Sequence, residues 1–448
     1  MQAIDFYSGL KSSAADIHAR YRAVTQRSEA LTTRAAAVMP GGSSRDALLR
    51  KPYAPYAVSG QGGWLTDVDG RQIIDLWFNA TSLPLGHCHP LVLAAAADQM
   101  ARGTAFFAST EVEVDVAREL QTRLPSAARV RFTNSGSEAV MLAVRIARAF
   151  TGRTTLAKFE GSYHGSYDDV SWSLAPLEAD AGPIERPVPV PASAGLPSAA
   201  GRTTVLPFND LESTVRILRE QSAHIAAVIV EPVANRMGLL PPRPGFLEGL
   251  QAHCRELGIL LIFDEVIAFR VGFHGAQGLT GVTPDLTTLG KIIGGGFPVG
   301  AVAGSAEVMA VSEPYRPGRV AHYGTFNANP MTMAAGKATL QGWTPTVIAT
   351  LNATAEQLRS DLRTGCTGMP VQVTGTGSLF KITATSTELT NHRAMLTADR
   401  AWEELMSLAL LTEGFLLTPA LQGCLSTATT PEQIGAFVQT FERLLRES

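Results

Sequence analysis

Several things are scarce in this chain, and each scarcity narrows its function. It has only 4 cysteines in 448 residues, and Cys88, Cys254, Cys366 and Cys424 lie far apart with no CxxC pair. That spacing suits reduced thiols in a cytoplasm. No apolar run is long enough to span a bilayer, so no membrane association is expected. The formal net charge is -3, which leaves no basic footprint for nucleic acid. The opening Met-Gln-Ala-Ile-Asp-Phe-Tyr has no basic region followed by an apolar core, so no signal peptide is expected and a cytoplasmic location is. There is no internal repeat and no low-complexity tract. Charged residues make up only 17% and hydrophobic residues 45%, the balance of a well-buried globular chain rather than a disordered one.

The length suggests two or three domains. Residues 14–38 carry apolar side chains at helical spacing, and Met39-Pro-Gly-Gly42 ends that helix. Trp64 to Asp75 reads as a hairpin turning at Asp69-Gly70. His87-Cys-His89 has no second ligand pair at a useful spacing, so it reads as a structural turn and no metal site is expected. From about residue 91, short apolar strands alternate with helices: Val130–Thr133, 138–150, Leu156–Phe159, Ile225–Glu231, 246–257 and Ile259–Phe263. This pattern predicts an α/β fold with a mostly parallel sheet covered on both faces. Residues 172–202 read as a long irregular excursion, and long loops in compact domains are often functional. After Pro330, helices over 331–341, 345–363, 396–411 and 431–445 and short strands near 371 and 378 predict a smaller α+β domain. Thr344 is placed to cap the second of these helices, with Pro345 at its first position. The expected division is 1–60 as a helical segment joining the small domain, 61–330 as the large domain and 331–448 as the small one.

The central stretch is Asp285 to Gly300, where Lys291 follows an apolar run and precedes a glycine cluster. Lysine is costly to bury, and a desolvated one can form a Schiff base with a carbonyl. Alone, Lys291 reads first as a surface lysine at a strand end. Other stretches change that balance. Ser135-Gly136-Ser137-Glu138 lies between a strand and a helix, where free N–H groups cradle phosphate, although a capping box looks similar. Asp264 ends a buried strand, where it can pair with a cationic ring nitrogen or merely cap a helix. Tyr163, before His164 and Gly165, can stack on a planar ring or pack under the long loop. Thr325 can donate to a phosphate or simply precede a helix. A phosphate cradle, an aromatic, a carboxylate and a lysine together suit pyridoxal phosphate (PLP). P-loop, dinucleotide and nucleophile-elbow motifs all lack a required residue.

At these residues, and over about residue 30 to the C-terminus, the sequence resembles the class III aminotransferases of PLP fold type I. The carriers are Ser135-Gly-Ser-Glu, Tyr163-His-Gly, Asp264-Glu-Val and Leu289-Gly-Lys291 in that order. Met39-Pro-Gly-Gly, Gly290-Lys-Ile-Ile-Gly-Gly-Gly and Gly324-Thr-Phe-Asn are most similar to the branch of glutamate-1-semialdehyde aminomutase and β-phenylalanine aminotransferase. The resemblance implies a large domain with a seven-stranded-type, mostly parallel sheet and a smaller C-terminal domain. It implies Lys291 as the Schiff-base lysine, Asp264 on the pyridine nitrogen, Tyr163 on the ring with Val266 on the opposite face, and Ser135, Gly136 and Ser137 on the phosphate. His164 and Glu231 are expected beside the cofactor. It further implies a homodimer with active sites at the interface, Thr325 reaching the neighbouring subunit's phosphate.

The sequence departs from the pattern in three places. Glu231-Pro-Val-Ala-Asn235-Arg236 lacks the glutamine that many members place near the cofactor hydroxyl; Asn235 or Arg236 substitutes there, or nothing does. Leu421 stands near the aminomutase's C-terminal glutamate, which disfavours the mutase reaction. Ala420 stands where the β-phenylalanine enzyme carries an arginine, while Arg45 matches another arginine that takes a substrate carboxylate there. Trp77, Phe78 and Leu83 suggest a mainly apolar substrate pocket. The expectation is an aminotransferase moving an amino group between an amino acid, aromatic or apolar and extending to β-amino acids, and a keto acid. The alternatives are an aminomutase or racemase that releases no keto product, and a cofactor-free binding protein.

Overall fold

A computed structural model describes residues 7–196 and 201–447. They divide into two compact units. One combines the residues up to His89 with Thr350–Glu388 and the residues from Thr397 on; the other is Pro90–Ala349 with Leu389–Leu396. After a short helix, Ser8–Ser12, the first unit has two helices, Ala14–Val24 and Gln26–Ala36, where the spacing predicted one. Buried Thr25 makes the break, with φ -136°: its hydroxyl donates to the Tyr21 carbonyl at 2.6 Å and meets the Tyr53 hydroxyl at 2.9 Å. Strands β1 (Ala57–Gln61), β2 (Trp64–Asp67) and β3 (Gln72–Asp75) follow as an antiparallel meander. β2 and β3 are the predicted hairpin.

The second unit holds β4 (Arg129–Thr133), β5 (Thr155–Phe159), β6 (Thr203–Leu206), β7 (Ile225–Val230), β8 (Leu260–Asp264), β9 (Leu286–Gly290) and β10 (Gly300–Gly304). They form a 7-stranded sheet in the order β4-β10-β9-β8-β7-β5-β6. β5, β6, β7, β8 and β9 pair in parallel, and β10 runs antiparallel to both β4 and β9. The mostly parallel α/β sheet is therefore as expected. Both faces are buried, because alternate side chains enter different cores. Val228, Val230, Leu261 and Phe263 join one apolar cluster, and Ala227, Ile229, Leu260 and Ile262 the other. Continuous apolar runs are what a parallel sheet covered on both faces requires.

The remaining strands, β11 (Gln372–Thr374), β12 (Leu379–Thr383), β13 (Phe415–Leu416) and β14 (Gln422–Cys424), return to the first unit. β13 pairs with β3 in a 4-stranded sheet, β1-β2-β3-β13, and β11-β12-β14 form a 3-stranded one. This pairing draws residues 61–89 into the first unit, where the sequence division assigned them to the large domain. The other boundary falls within the helix Pro345–Gly365, which Thr344 caps by accepting from the Val347 N–H at 3.3 Å. The helix expected over 396–411 is instead His392–Met395 and Arg400–Thr412; Asp399 caps the latter by accepting from the Trp402 N–H at 3.0 Å. No helix among the described residues is long and apolar enough to cross a membrane.

Of the excursion expected over 172–202, residues 197–200 lie outside the described residues, and the rest has no strand or helix beyond a bridge between Trp172 and Pro191. Arg393 fastens it from a distant part of the sequence. Its guanidinium grips Glu160 in a fork, at 2.7 and 2.9 Å, and donates to the carbonyls of Ala181 and Gly182 at 3.1 Å each. Both charges are nearly buried, 9% and 5% exposed, so removing one strands the other in low dielectric. We expect Arg393→Ala to destabilise the protein by about 3 kcal/mol or more. A urea or thermal transition unchanged from the wild type would contradict this.

Candidate active site

The candidate residues gather at the carboxyl ends of neighbouring parallel strands, where ligands bind in open α/β sheets. Glu231 follows β7, Asp264 is the last residue of β8, and Lys291 follows β9. β8 lies between β7 and β9, so the strand order alone brings the three groups side by side. Asp264 pairs in register with Thr288, three positions before the lysine.

Lys291 has φ 52°, in the left-handed region that a residue with a Cβ adopts only under strain of order 1–3 kcal/mol. Burial lowers its amine below the usual lysine value, against the opposing pull of Asp264 and Glu231. The result is an amine biased toward its neutral, nucleophilic form. Asp264 is held from two sides. Its Oδ1 accepts from the Val266 N–H at 3.1 Å, and its Oδ2 lies 2.8 Å from His164 Nδ1. Burial lowers the His164 imidazole below its usual value, and with a carboxylate as its partner Nδ1 is the donor; Nε2 has no hydrogen-bond partner among the described residues. Asp264 is thus a fixed, oriented carboxylate with acceptor capacity to spare.

Glu231 is buried, and burial with the neighbouring Asp264 carboxylate pushes its carboxyl up to about 8. It accepts from the Tyr163 N–H at 3.3 Å, which ties the aromatic to the carboxylate cluster. The Tyr163 ring is 40% exposed and carries the Arg236 guanidinium 5.6 Å from its centre. The ring is therefore not buried beneath the long loop.

Ser135 does cap the helix Gly136–Thr151: its Oγ accepts from the Glu138 N–H at 3.1 Å. Glu138 reaches back to the Asn134 N–H at 2.8 Å. The capping reading holds, and the cap leaves the N–H groups of Gly136 and Ser137 without an acceptor among the described residues. Gly136 is required for packing: a Cβ there would stand 2.9 Å from Val266 Cγ2. The helix N-terminus is therefore pressed against the loop after Asp264. Thr325 is exposed in a turn whose Asn327 accepts from Asn134 Nδ2 at 2.9 Å, beside the same cradle.

These residues fit PLP: N–H donors to spare for a phosphate, a carboxylate for a ring nitrogen, an exposed aromatic and a lysine whose amine burial lowers. Arg45 and Trp77 belong to the other unit. Arg45 is exposed and donates to Asn79 Oδ1 at 2.8 Å, and the Trp77 N–H donates to Asp75 Oδ1 at 2.8 Å. Trp77 precedes a left-handed turn in which Phe78, Asn79, Ala80 and Thr81 all have φ between 46° and 72°. His87 is a partner of Asp75 at 2.7 Å, in keeping with a structural turn. No group of His, Cys, Asp and Glu suited to a metal occurs among the described residues. The sequence reading missed Lys158, buried in β5 and donating to the carbonyls of Trp172 and Ser162 at 2.6 and 3.0 Å. A lysine inside an apolar strand was the available signal.

The family model described as aminotransferase class-III matches residues 50–429. A curated relative, glutamate-1-semialdehyde 2,1-aminomutase of Aeropyrum pernix, is 40% identical over 401 residues, 88% of this chain and 91% of that protein. A solved omega-transaminase from Sphaerobacter thermophilus superposes with a TM-score of 0.90 at 44% identity, over 94% of this chain and 97% of that one. A transaminase solved with PLP bound gives 0.86 at 38% identity, over 94% and 98%.

Glu231 provides a test of the electrostatics. A carboxyl raised from 4.5 to about 8 binds more protons folded than unfolded in that window, so its contribution to stability is lost as pH rises through it. Lys158, pushed down to about 7, slopes the opposite way above that pH but is present in both proteins compared. We expect cofactor-free Glu231→Gln to lose less stability than the wild type between pH 5 and 8, as read from urea midpoints; parallel curves would refute the assignment.

Proposed function

Since the chain belongs to the class III aminotransferase family and that family's cofactor is pyridoxal phosphate, we propose that it is an aminotransferase that passes an amino group from an amino acid to a keto acid. The observation that carries the proposal is the buried, neutral-leaning Lys291 on strained backbone next to Asp264. The bound cofactor supplies an aldehyde carbon that exchanges one amine for another, and a ring that withdraws electrons from the carbon bearing the amino group. Lys291 Nζ holds the cofactor between turnovers. Displaced by a substrate amine, it is the base that takes the proton from the substrate's amine-bearing carbon. Asp264, fixed by His164 and the Val266 N–H, keeps a ring nitrogen protonated. Ser135, Gly136 and Ser137 take the phosphate, Tyr163 and Val266 face the ring from either side, and Glu231 lines the site. Arg45, with Trp77 in an apolar wall, takes a substrate carboxylate. We read the active form as a homodimer in which Thr325 reaches the neighbouring copy's phosphate; the exposed Tyr315, Tyr323 and Phe326 around it support that reading.

A second reading, aminomutase, is favoured by the names of the curated relatives, which are 38–41% identical and are glutamate-1-semialdehyde 2,1-aminomutases from several organisms. The residue at the position that the mutase gives to glutamate speaks against it. Leu421 is fully buried at φ 54°, its carbonyl accepting from the Ile382 N–H at 3.1 Å. A leucine there offers no carboxylate to a diamine.

Holoenzyme mixed with single α- and β-amino acids and no keto acid separates the two. The aminotransferase releases a keto product and leaves the cofactor in its amine form. Isomerisation of glutamate-1-semialdehyde to a product that keeps the amino group would replace this reading with the mutase. Lys291→Ala should slow the half-reaction by roughly 10²–10⁴-fold. Arg45→Ala should raise KM for carboxylate substrates by about tenfold, and a KM unchanged for every such substrate would remove Arg45 from the site.

A further inference from the structure

The segment Glu231–Leu240, immediately after β7, is buried almost throughout: only Asn235 and Arg236 are not, and Arg236 is exposed. The loop is closed on itself. The Ala234 N–H donates to the Leu240 carbonyl at 3.0 Å, and the Leu239 N–H to the Asn235 carbonyl at 3.3 Å. Met237, Leu239 and Leu240 anchor it in the core. Beneath it, Gly238 at φ 93° lies so close to Met395 that a Cβ would stand 3.1 Å from the sulfur. A loop pinned in this way has little freedom except in the side chain at its tip.

That side chain lies over the Tyr163 ring, 5.6 Å from its centre. No carboxylate pairs with it among the described residues, and no side-chain hydrogen bond holds it. Yet buried carboxylates are near: Tyr163 is tied to Glu231, and Glu231 acts on Lys291. The Arg236 charge is also felt in the interior, where it adds to the lowering of the Lys158 amine. An uncompensated guanidinium, presented by a rigid loop at the carboxyl ends of the strands and seated on an exposed aromatic, is suited to a planar anion that arrives from solvent.

We propose that Arg236 binds a carboxylate of the substrate and so helps select acids over uncharged amines. The proposal deepens the aminotransferase reading and rests on it for the identity of the site. It is distinct from the Arg45 contact, which belongs to the other unit.

The test uses holoenzyme and two inert probes, 3-phenylpropanoate and its uncharged amide, titrated against the absorbance of the lysine-bound cofactor. Arg236→Gln should weaken the carboxylate roughly 10- to 100-fold and the amide less than about twofold, the loss expected for one charge-assisted contact. Arg236→Lys, which keeps the charge but not the fork, should fall between them. Because Arg236 is exposed, the variants should unfold at the wild-type temperature. The proposal is overturned if the wild type shows no saturable preference for the carboxylate, or if Arg236→Gln leaves carboxylate binding unchanged. It is also overturned if both probes weaken together, which would place Arg236 on the cofactor instead. The titration needs no turnover. An enzyme that binds the acid through Arg236 but releases no keto product would refute the reaction type and leave the carboxylate site standing.

Discussion

Keeping a lysine amine out of water beside two carboxylates is the constraint around which the second unit is built. Charged groups resist burial, and here Lys291, Asp264 and Glu231 share one low-dielectric region. The cluster persists because each member is satisfied differently. Asp264 receives hydrogen bonds from His164 and Val266, Glu231 leans toward its protonated form, and Lys291 toward its neutral one. Net charge in the cluster is thereby held down without removing the groups that carry the chemistry.

Rigid neighbours fix this arrangement. Gly136 admits Val266, which brings the helix N-terminus against the carboxylate loop. The Glu138 return to Asn134 and the Asn134–Asn327 contact bind the cradle to the Thr325 turn. Strain occurs at Lys291 in one unit and over Phe78–Thr81 in the other. Strain of this kind survives only where the surroundings over-determine the backbone. Around Phe78 they do: Asp75 accepts from the N–H groups of both Trp77 and Phe78 at 2.8 Å.

Much of this was legible along the chain. The apolar runs of β7 and β8 announced strands buried on both faces, and Ser135 to Glu138 announced a helix start with spare donors. Lys291, Asp264 and Tyr163 stood out because each residue type is costly or conspicuous in its context. Failures occurred where a distant partner overrode local pattern. Thr25 broke a regular helical spacing through its hydroxyl contacts to Tyr21 and Tyr53, and β13 recruited β3 into the first unit's sheet. No window around residue 160 could show that Arg393 would hold it.

The sequence by itself determined the residue types, the alternation of strands and helices, and the family to which they belong, because periodicity and motif spacing are local properties of the chain. Only the tertiary structure decided which charges face one another. The order β9-β8-β7 places Lys291, Asp264 and Glu231 together although 60 positions separate the ends of that series, and the closed loop after β7 leaves Arg236 as its one exposed cation. Both outcomes depend on long-range pairing and on the dielectric of a buried site, and neither exists until the chain is folded.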